Sequence, residues 1–430
     1  MAAMELDLTP GQRYRAALAA LLGNALEWFD FAVYGYVASD LGKAFFPAEV
    51  PGLQTAAAFG VFAVGYLMRP VGSLVLGPVG DLLGRRLMLS LSIVIMGLSS
   101  LLIGLLPTHS QIGIAAGVAL VLLRMVQGFS VGAEFTGSIT YATEAAARGR
   151  TGLLSSLAVA GGLLGFSLGA LSVAVIAAVV GEAAMALWGW RLPFLLGAVV
   201  ALLGLWMRRA MPETLQPDDT MARFDSPAAV MAAISRQLVQ VLQQWRLVLM
   251  VIALVSFANM IFYLSFVYLV DLTAQRSGNT AAANSIATLI QTAGLLIAVL
   301  GGHLADRYGM VRVNRWGNVV LLLLAPLGLA IGLQGQLGSL VLAQGLLVAP
   351  VMVTMGAQGV LGVVLIPQRQ RCAVFSIAYS LAMALFAGTA PLLASWLQNH
   401  QASWLTPLYA LPFGVAAVLA VNRSRHAGVR

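Results

Sequence analysis

Charged residues are scarce in this chain. Asp, Glu, Lys and Arg make up 9% of its 430 residues, whereas hydrophobic residues make up 60%, and the mean hydropathy is +0.90. A soluble domain of this length could not cover its surface with so few charges, so the composition predicts an integral membrane protein in a lipid bilayer. The formal net charge of +8 comes from basic residues between the apolar runs and does not indicate a nucleic-acid partner.

Residues that carry metal, redox or hydrolytic chemistry are also rare. The single cysteine, Cys372, excludes an internal disulfide, and the four histidines are scattered without metal-ligand spacing. No phosphate-binding Gly-x-x-x-x-Gly-Lys-Ser/Thr loop occurs, so ATP is not the expected energy source. Glu27 and Asp30 in the first apolar run argue against a cleavable signal peptide. The sequence predicts no enzyme, no metal and no cofactor.

Long apolar runs make up most of the chain. About 20 apolar residues cross a bilayer, and an open chain must do so as a helix because lipid cannot satisfy backbone amides. We number the twelve predicted runs as spans 1 to 12, and they cover residues 16–37, 54–76, 87–106, 112–140, 152–180, 192–207, 247–270, 284–304, 313–333, 337–366, 373–396 and 404–421. The predicted fold class is an all-α membrane protein with 12 transmembrane helices.

Basic residues mark one side of the predicted membrane. Most arginines lie near the two ends of the chain and in the loops that follow spans 2, 4, 6, 8 and 10. Only Lys43 and Arg276 lie in loops on the opposite side. Because cytoplasmic loops carry an excess of Lys and Arg, the pattern predicts a multi-pass protein with both termini in the cytoplasm.

The longest loop, residues 208–246, separates spans 6 and 7. Ser226-Pro227 supplies a helix N-cap and a first-turn proline. Apolar residues follow at helical spacing, namely Val230, Ile234, Leu238, Val241 and Trp245. We predict an amphipathic helix on the cytoplasmic membrane face, with an ordinary linker helix as the alternative.

A short motif occurs twice. Gly77-Pro-Val-Gly-Asp81-Leu-Leu-Gly84-Arg85-Arg86 follows span 2, and Gly302-His-Leu-Ala-Asp306-Arg307-Tyr-Gly309-Met-Val-Arg312 follows span 8, about half the chain later. Glycine permits a sharp turn and close helix approach. The aspartate can accept from helix N-terminal amides or pair with an arginine. The repeat indicates two similar halves.

The twelve spans, the central loop and the duplicated motif resemble the major facilitator superfamily over essentially the whole chain. Finer features resemble its metabolite–proton symporter branch, which carries organic acids or osmolytes such as proline and betaine. They are Gly23-Asn-Ala-Leu-Glu27-Trp28-Phe-Asp30-Phe-Ala-Val-Tyr34-Gly35, Arg69-Pro70 and Arg124-Met-Val-Gln127-Gly128-Phe-Ser-Val-Gly132-Ala-Glu134. The resemblance implies two pseudo-symmetric six-helix bundles, residues 1–207 and 247–430, joined by the linker 208–246. Leu82 departs from the family motif, which has a basic residue there.

Acidic residues inside the spans are candidates for proton coupling. Glu27, Asp30 and Tyr34 are spaced i, i+3 and i+7, so one face of span 1 carries two carboxyls and a phenol. Two nearby carboxyls in a low dielectric are unfavourable when both are ionised, so this face suits proton loading. Glu134 in span 4 is the third candidate. The alternative role of these acids is a structural ion pair with Arg69 or Arg124.

Arg124 is the leading candidate for substrate binding. It lies well inside span 4, where a charge costs roughly 2.5–3.5 kcal/mol on insertion scales and arginine stays ionised. Alignment of the Gln-Gly pairs of spans 4 and 10 puts Val341 in its place in the second half. The other predicted substrate contacts are Tyr34, Asn259, Tyr263, Gln291, Gln358 and Tyr379. Each of these neutral groups is alternatively a helix–helix contact.

The motif copies predict a cytoplasmic gate. We assign to it Arg69, Asp81, Arg85, Arg86, Glu144, Asp306 and Arg307. Glu144 is included because the resemblance implies a charge network that locks the halves, and an exposed surface pair is its alternative. Arg69 lies beside Pro70 near the end of span 2, and its alternative role is to snorkel to the membrane surface.

These expectations combine into a predicted function. The chain is expected to be a proton-coupled symporter in a bacterial inner membrane that imports a small organic acid by alternating access, as a monomer. One deep arginine facing a neutral second half suits a monocarboxylate, a small dicarboxylate or a zwitterion better than a tricarboxylate. An organic acid is ranked first because aromatic residues at the observed spacings are more often packing residues. The alternative substrate is a zwitterionic osmolyte or amino acid, for which Trp28, Tyr34 and Tyr263 are among the aromatic residues that suit an ammonium group. The chain ends at Arg430 without heptads, unlike some osmolyte carriers with a coiled-coil extension, which lowers that alternative. An exporter on the same fold remains a further alternative.

Overall fold

The structure, a computed structural model, describes residues 8–46, 53–209, 211–215 and 226–426, and the regular elements of these residues are all helices. Its membrane-spanning helices are Pro10–Tyr36, Gly60–Leu82, Arg85–Leu105, Ile114–Ala145, Thr151–Val180, Arg191–Arg209, Trp245–Ser277, Thr280–Tyr308, Met310–Gly332, Leu337–Val364, Gln368–Asn399 and Ser403–Ser424. They correspond one to one to predicted spans 1 to 12 and keep those numbers. The all-α fold with twelve spans is confirmed.

Spans 4, 7 and 11 depart from regular α-helix near their middle. Span 4 is divided at Gly132 and Ala133 into helices Ile114–Val131 and Glu134–Ala145. Spans 7 and 11 each contain one π-helical turn, Leu264–Tyr268 and Met383–Ala387. Such turns occur often at functional sites because the extra residue redirects the side chains around it. Both of these turns lie in the second half of the chain, whereas a third, Met185–Gly189, precedes span 6.

The two halves meet along two helix crossings, span 2 with span 11 and span 5 with span 8. The first glycine of each motif copy lies at one of these crossings. A side chain on Gly77 would collide with the backbone of Ala373, and one on Gly302 would collide with the backbone of Gly152. Glycine is therefore required at both positions because the backbones of opposite halves approach too closely for a Cβ atom.

The linker contains the predicted helix, which the structure places at Pro227–Gln243 with Ser226 accepting from the backbone N–H of Ala229. Residues 216–225 of the predicted linker lie outside the described residues. The helix buries Ile234 and Val241 in apolar clusters of the protein. Two of the five predicted apolar positions therefore pack against the bundle, and the location of this helix on the cytoplasmic membrane face stays a prediction.

The end of span 6 also differs from the prediction. The sequence ends this span at residue 207 and assigns Arg208 to the loop, but the helix continues to Arg209 and Arg208 is 1% exposed. Its guanidinium points into the first half instead of to the membrane surface, because Glu134 and a backbone carbonyl bind it there. A hydropathy pattern ends a span at such an arginine, because it cannot show that a residue far away in sequence binds the arginine inside the bundle.

Candidate functional site

A narrow cavity of about 40 Å³ lies between the two halves. The first half lines it with Trp28, Arg69, Phe135, Val159, Gly162, Leu163 and Phe166, and the second half with Asn259, Phe262, Tyr263, Gln291, Met355, Tyr379 and Met383. Aromatic rings make up much of this wall, and Arg69 is its one charged residue. The volume is far below the roughly 300–1,000 Å³ of typical ligand pockets. The halves must separate before a solute of several heavy atoms can enter.

Arg69 is the charged group of the cavity wall. Its Nη2 forms an ion pair with Oε1 of Glu27, and both side chains are buried. The guanidinium carbon lies 5.8 Å from the ring centroid of Trp28, 5.3 Å from that of Phe31 and 5.1 Å from that of Tyr66. The second carboxylate oxygen of Glu27 has no hydrogen-bond partner. The pair is thus held among aromatic rings, and an anion entering the cavity would compete with Glu27 for the guanidinium.

Arg124 belongs to a second polar group behind this wall. Its Nη1 donates to Oε1 of Gln127 at 2.7 Å, and Nε2 of Gln127 donates to Oδ2 of Asp30 at 2.7 Å. Ser100 also donates to Asp30. The Arg124 guanidinium lies 4.1 Å from the ring centroid of Tyr34. Because Gln127 stands between them, Arg124 and Asp30 are joined through an amide and not through a direct ion pair.

The predicted substrate contacts divide into two sets. Asn259, Tyr263, Gln291 and Tyr379 line the cavity. Arg124, Tyr34 and Gln358 do not; all three are buried, and the Tyr34 hydroxyl donates to the carbonyl of Ala58 at 3.0 Å. The structure thus places Arg69, which the sequence assigns to the gate, in the cavity wall, and places Arg124 outside it. Side-chain direction decides this, and the position of a residue along a span does not reveal it.

Three further contacts join the halves at the level of the cavity. The hydroxyls of Tyr66 and Tyr263 are 3.2 Å apart, and those of Ser167 and Thr292 are 3.0 Å apart. The rings of Phe135 and Tyr379 lie with their centroids 4.9 Å apart. These neutral contacts are individually weak, so separating them costs much less than separating buried charges.

Glu134 is tied to a third polar group. Its Oε1 accepts from Nη2 of Arg208 at 2.6 Å, and its Oε2 accepts from Oγ of Ser92 at 2.6 Å. Arg208 also donates to the carbonyl of Leu89. Spans 3, 4 and 6 are thereby joined inside the first half. These contacts favour a structural role for Glu134, whereas the sequence predicts proton coupling.

Replacing Glu134 with glutamine distinguishes the two roles. The change leaves the buried guanidinium of Arg208 without its counter-charge, and such a loss is strongly destabilising. We expect the midpoint of thermal unfolding of the purified protein to fall by several degrees while proton-driven uptake by the remaining folded protein continues. The matched control is Asp271→Asn, which neutralises an exposed carboxylate of span 7. An unchanged unfolding midpoint together with lost proton dependence would instead assign Glu134 to proton coupling.

The motif aspartates lie at one end of the bundle, which the sequence predicts to be cytoplasmic, and each caps a helix of the opposite half. Asp81 accepts from the backbone N–H groups of Cys372 and Ala373 at 3.0 and 2.8 Å, at the start of span 11. Asp306 accepts from those of Gly152 and Leu153 at 2.7 and 2.8 Å, at the start of span 5. We call these two aspartates and the two helix N-termini the latch. Negative charge at a helix N-terminus is favourable, so both contacts hold this end closed.

Arg85 and Glu144 extend the latch into a charge network. Arg85 contacts Asp81 at 2.8 Å and Glu144 at 3.3 Å, and it donates to the backbone carbonyl of Gln368 in the other half at 2.8 Å. Glu144 also contacts Arg371 at 3.1 Å. By contrast, Arg86 and Arg307 are exposed. The charge that Leu82 does not supply is present one helical turn later, at Arg85.

Sequence reasoning missed several residues of this network. Glu213 accepts from the backbone N–H groups of Arg85 and Arg86 at 2.9 and 3.1 Å and so caps span 3. Thr214 donates to Glu144 at 2.9 Å. The only signal in the sequence is the polar stretch Pro212-Glu213-Thr214 shortly after span 6. The sequence also did not identify the partners Gln127, Arg208 and Arg371. Arg208 and Arg371 each bind a residue far away in sequence, and Gln127 joins two other side chains.

A larger cavity lies elsewhere in the described bundle. It has a volume of about 590 Å³ and is almost wholly apolar, with a lining from spans 1, 5 and 6 that includes Leu22, Leu171 and Trp206. Only Ser172 and Trp206 contribute polar side-chain atoms to this lining, and it contains no charged residue. The groove opens on the apolar outer surface of the first half and suits lipid chains, so we assign solute binding to the small cavity between the halves.

Comparisons with known proteins agree with this architecture. A sequence profile of the Major Facilitator Superfamily matches residues 17–370. Among solved structures, the proton:xylose symporter XylE bound to 6-bromo-6-deoxy-D-glucose superimposes with a TM-score of 0.73 at 18% identity and covers 97% of this chain and 96% of its own. The human organic anion transporter MFSD10 superimposes with a TM-score of 0.65 at 19% identity, covering 96% and 100%. At these identities the likeness shows the fold alone.

Curated relatives are more similar in sequence. The glycine betaine/proline/ectoine/pipecolic acid transporter OusA of Dickeya dadantii is 33% identical over 413 residues, which cover 93% of this chain and 81% of that protein. The proline/betaine transporter of Escherichia coli is 34% identical over 411 residues, with the same coverage. The ectoine/proline transporter ProP of Corynebacterium glutamicum is 32% identical over 431 residues, covering 97% and 85%.

These relatives contradict the prediction of an organic acid substrate, because their names give zwitterionic solutes instead. The ranking of an organic acid above a zwitterion rested on treating the aromatic residues as packing residues, whereas the structure places aromatic rings around Arg69 in the cavity wall. It also rested on the missing heptads, a feature that does not decide the substrate. With its family profile, its relatives and its twelve-span fold in agreement, the chain belongs to the Major Facilitator Superfamily of membrane transporters.

Proposed function

We propose that this protein is a proton symporter that imports a small zwitterionic osmolyte of the proline and betaine type across a bacterial inner membrane. The observation that carries the proposal is the cavity between the halves, where one arginine stands among aromatic rings and is paired with a buried glutamate. The named solutes of the relatives have the same chemistry, a carboxylate and a substituted ammonium on one small skeleton.

Arg69 is the proposed partner of the solute carboxylate. A guanidinium binds a carboxylate with two parallel hydrogen bonds and stays charged in a buried site. In the described part of the chain the fully buried Asp, Glu and Arg residues all lie in the first half, and they are Glu27, Asp30, Arg69, Asp81, Arg85, Arg124, Glu134 and Arg208. The second half faces the cavity with Asn259, Tyr263 and Tyr379, which are neutral. The carboxylate therefore points towards the first half.

Aromatic rings are the proposed partners of the solute ammonium. Trp28, Phe135 and Tyr263 face the cavity from three different spans, and Phe262 and Tyr379 stand beside them. A substituted ammonium is attracted to ring faces, and the attraction is strengthened when water is excluded. No carboxylate lines the cavity to form an ion pair with it. A wall of this kind accepts a cation whose methyl or ring carbons have already displaced much of its hydration.

Glu27 is the proposed proton carrier. While ionised, Glu27 occupies the guanidinium of Arg69 and so competes with the solute carboxylate. A proton on Glu27 removes that competition, so that the proton and the solute favour each other's binding. This linkage is the thermodynamic requirement for symport. Asp30, which reaches Arg124 only through Gln127, is the second candidate because it lies outside the cavity wall.

The proposed cycle alternates access around the cavity. The latch closes the end that carries the linker, and we propose that this end is cytoplasmic, as the arginine-rich loops predict. Release into the cell then requires Asp81 and Asp306 to leave the helix N-termini of the opposite halves. One chain supplies both walls of the cavity, so a monomer suffices for transport.

Uptake into proteoliposomes tests the proposal. With an inward proton gradient we expect concentrative uptake of radiolabelled glycine betaine and proline, at least tenfold above glycine, whose unsubstituted ammonium is more costly to dehydrate. A protonophore should abolish accumulation, and a sodium gradient without a proton gradient should not support it. Protein-free liposomes serve as the control.

Two results would contradict the proposal. Accumulation of succinate with no accumulation of betaine or proline would exclude the zwitterion class. Accumulation of betaine by a sodium gradient alone, or only outward from preloaded liposomes of known protein orientation, would exclude proton-driven import.

A further inference from the structure

The carboxylate of Asp81 is held by more than the helix that it caps. Its Oδ1 accepts from the backbone N–H of Cys372 at 3.0 Å and forms an ion pair with Nη1 of Arg85 at 2.8 Å. Its Oδ2 accepts from the backbone N–H of Ala373 at 2.8 Å and from Nε2 of Gln237 at 2.9 Å. Gln237 belongs to the linker helix, so a residue outside the twelve spans binds the latch directly.

The second copy of the motif has no equivalent contact with the described part of the linker. Asp306 accepts from the backbone of Gly152 and Leu153 and from the hydroxyl of Thr151 at 3.3 Å, all at the start of span 5. Both aspartates thus cap a helix of the opposite half, and among the described residues the linker contributes a donor to the first copy alone. The pseudo-symmetry of the two halves is broken at this point.

The linker helix touches both halves beside the latch. Gln237 is 5% exposed, and Ile234, one turn earlier, packs in an apolar cluster with Val79 and Cys372. Near the end of the helix, the amides of Gln240 and Gln244 bind the side chain of Gln370, which directly precedes the helix Arg371–Ala382 of span 11. The helix therefore bridges the end of span 2 and the start of span 11, which are the two elements that separate when the latch opens.

We propose that Gln237 is a positioning residue of the gate, through which the linker helix stabilises the closed latch. An ionised carboxylate only accepts hydrogen bonds, so the amide nitrogen of Gln237 must face Asp81. The linker helix contacts both Asp81 and span 11, so it must lose one of these contacts when the latch opens and Asp81 moves away from span 11. The hydrogen bond from Gln237 to the ionised Asp81 is lost in that step, so this bond favours the closed state. This inference concerns the latch and holds whichever solute is carried.

Cys372 provides a native reporter of latch opening. It is the only cysteine of the chain and is fully buried at the start of span 11. The alkylation rate of its thiol by N-ethylmaleimide, measured on the purified full-length protein in lipid nanodiscs, follows the fraction of molecules with an open latch. For Gln237→Met, which keeps the side-chain length and removes the donor, we expect a rate about tenfold above wild type, since hydrogen bonds to charged groups are among the stronger ones.

Matched variants make the test specific. Gln243→Met changes an exposed glutamine of the same helix and should stay within about twofold of wild type. Gln237→Asn keeps the amide but shortens its reach, so it should resemble Gln237→Met and serves as the second variant if methionine prevents folding. In an Asp81→Asn background, Gln237→Met should add little, because the contact with the carboxylate has already lost its charge. Complete labelling in denaturant and cooperative thermal unfolding show that each variant is folded and its thiol intact.

Two outcomes would overturn the proposal. A wild-type alkylation rate in both Gln237→Met and Gln237→Asn would show that the contact does not stabilise the closed latch. If Gln237→Met raised the alkylation rate equally in the wild-type and Asp81→Asn backgrounds, the result would show that Gln237 acts through packing alone.

Discussion

Replacing Arg69 with methionine is expected to lower glycine betaine uptake at least 100-fold. The change removes the proposed partner of the solute carboxylate and leaves Glu27 buried without its ion pair. Removing one member of a buried, hydrogen-bonded charge pair costs about 2–5 kcal/mol, which corresponds to a factor of roughly 30 to several thousand. Arg69→Lys keeps the charge but loses the two-pronged geometry and the ring contacts, so it should retain only part of the uptake.

The measurement compares initial uptake rates and equilibrium betaine binding in variants reconstituted at equal protein density. Arg246→Met, an exposed arginine at the start of span 7, is the matched control and should transport at the wild-type rate. Thermal unfolding of each variant separates a loss of binding from a loss of fold.

Arg124→Met is the informative comparison for this prediction. Arg124 lies outside the cavity wall and contacts Gln127 and the ring of Tyr34. If Arg124 holds the solute carboxylate, as the sequence predicted, the larger loss of betaine affinity will occur in Arg124→Met, and Arg69→Met will bind betaine normally. That result would assign Arg69 to a structural pair and would contradict the proposed site.

The sequence was sufficient for the architecture because its signals are local. Apolar runs of sufficient length correspond to all twelve spans, and the repeated glycine-aspartate motif marks both crossings between the halves. The motif could be interpreted physically, since an aspartate after a tight turn seeks helix amides. Asp81 and Asp306 both make such contacts. Periodicity and turn chemistry are properties of neighbouring residues, and a single sequence displays them directly.

The site could not be predicted with the same success because it depends on distant pairs. Arg208 was placed in a loop, since its partner Glu134 lies 74 residues earlier and nothing in the pattern joins them. The choice of Arg124 over Arg69 failed to anticipate which guanidinium faces the cavity. Gln237 was seen only as one position of an amphipathic helix, although it reaches Asp81 across 156 residues. In each case a buried polar group was visible in the sequence, but its partner was not.

Glu27→Gln is expected to separate proton coupling from solute movement. Glutamine has nearly the same shape but remains neutral, so Arg69 is available to the solute carboxylate at every pH. Accumulation driven by an imposed proton gradient should therefore fall at least about 50-fold, because solute binding no longer requires a proton. Counterflow exchange of betaine, which needs no net proton movement, should stay within about threefold of wild type.

The pH dependence of counterflow gives a second readout with a defined sign. In the wild type, raising the pH ionises Glu27, which then claims Arg69, so solute affinity should decrease as pH rises. In Glu27→Gln this decrease should be absent. Asp30→Asn is the matched comparison, since it neutralises the neighbouring carboxyl on the same face of span 1, bound by Ser100 and Gln127. If Asp30→Asn abolishes accumulation and flattens the pH profile while Glu27→Gln behaves as wild type, then the proton is carried at Asp30 and reaches the solute through Gln127 and Arg124.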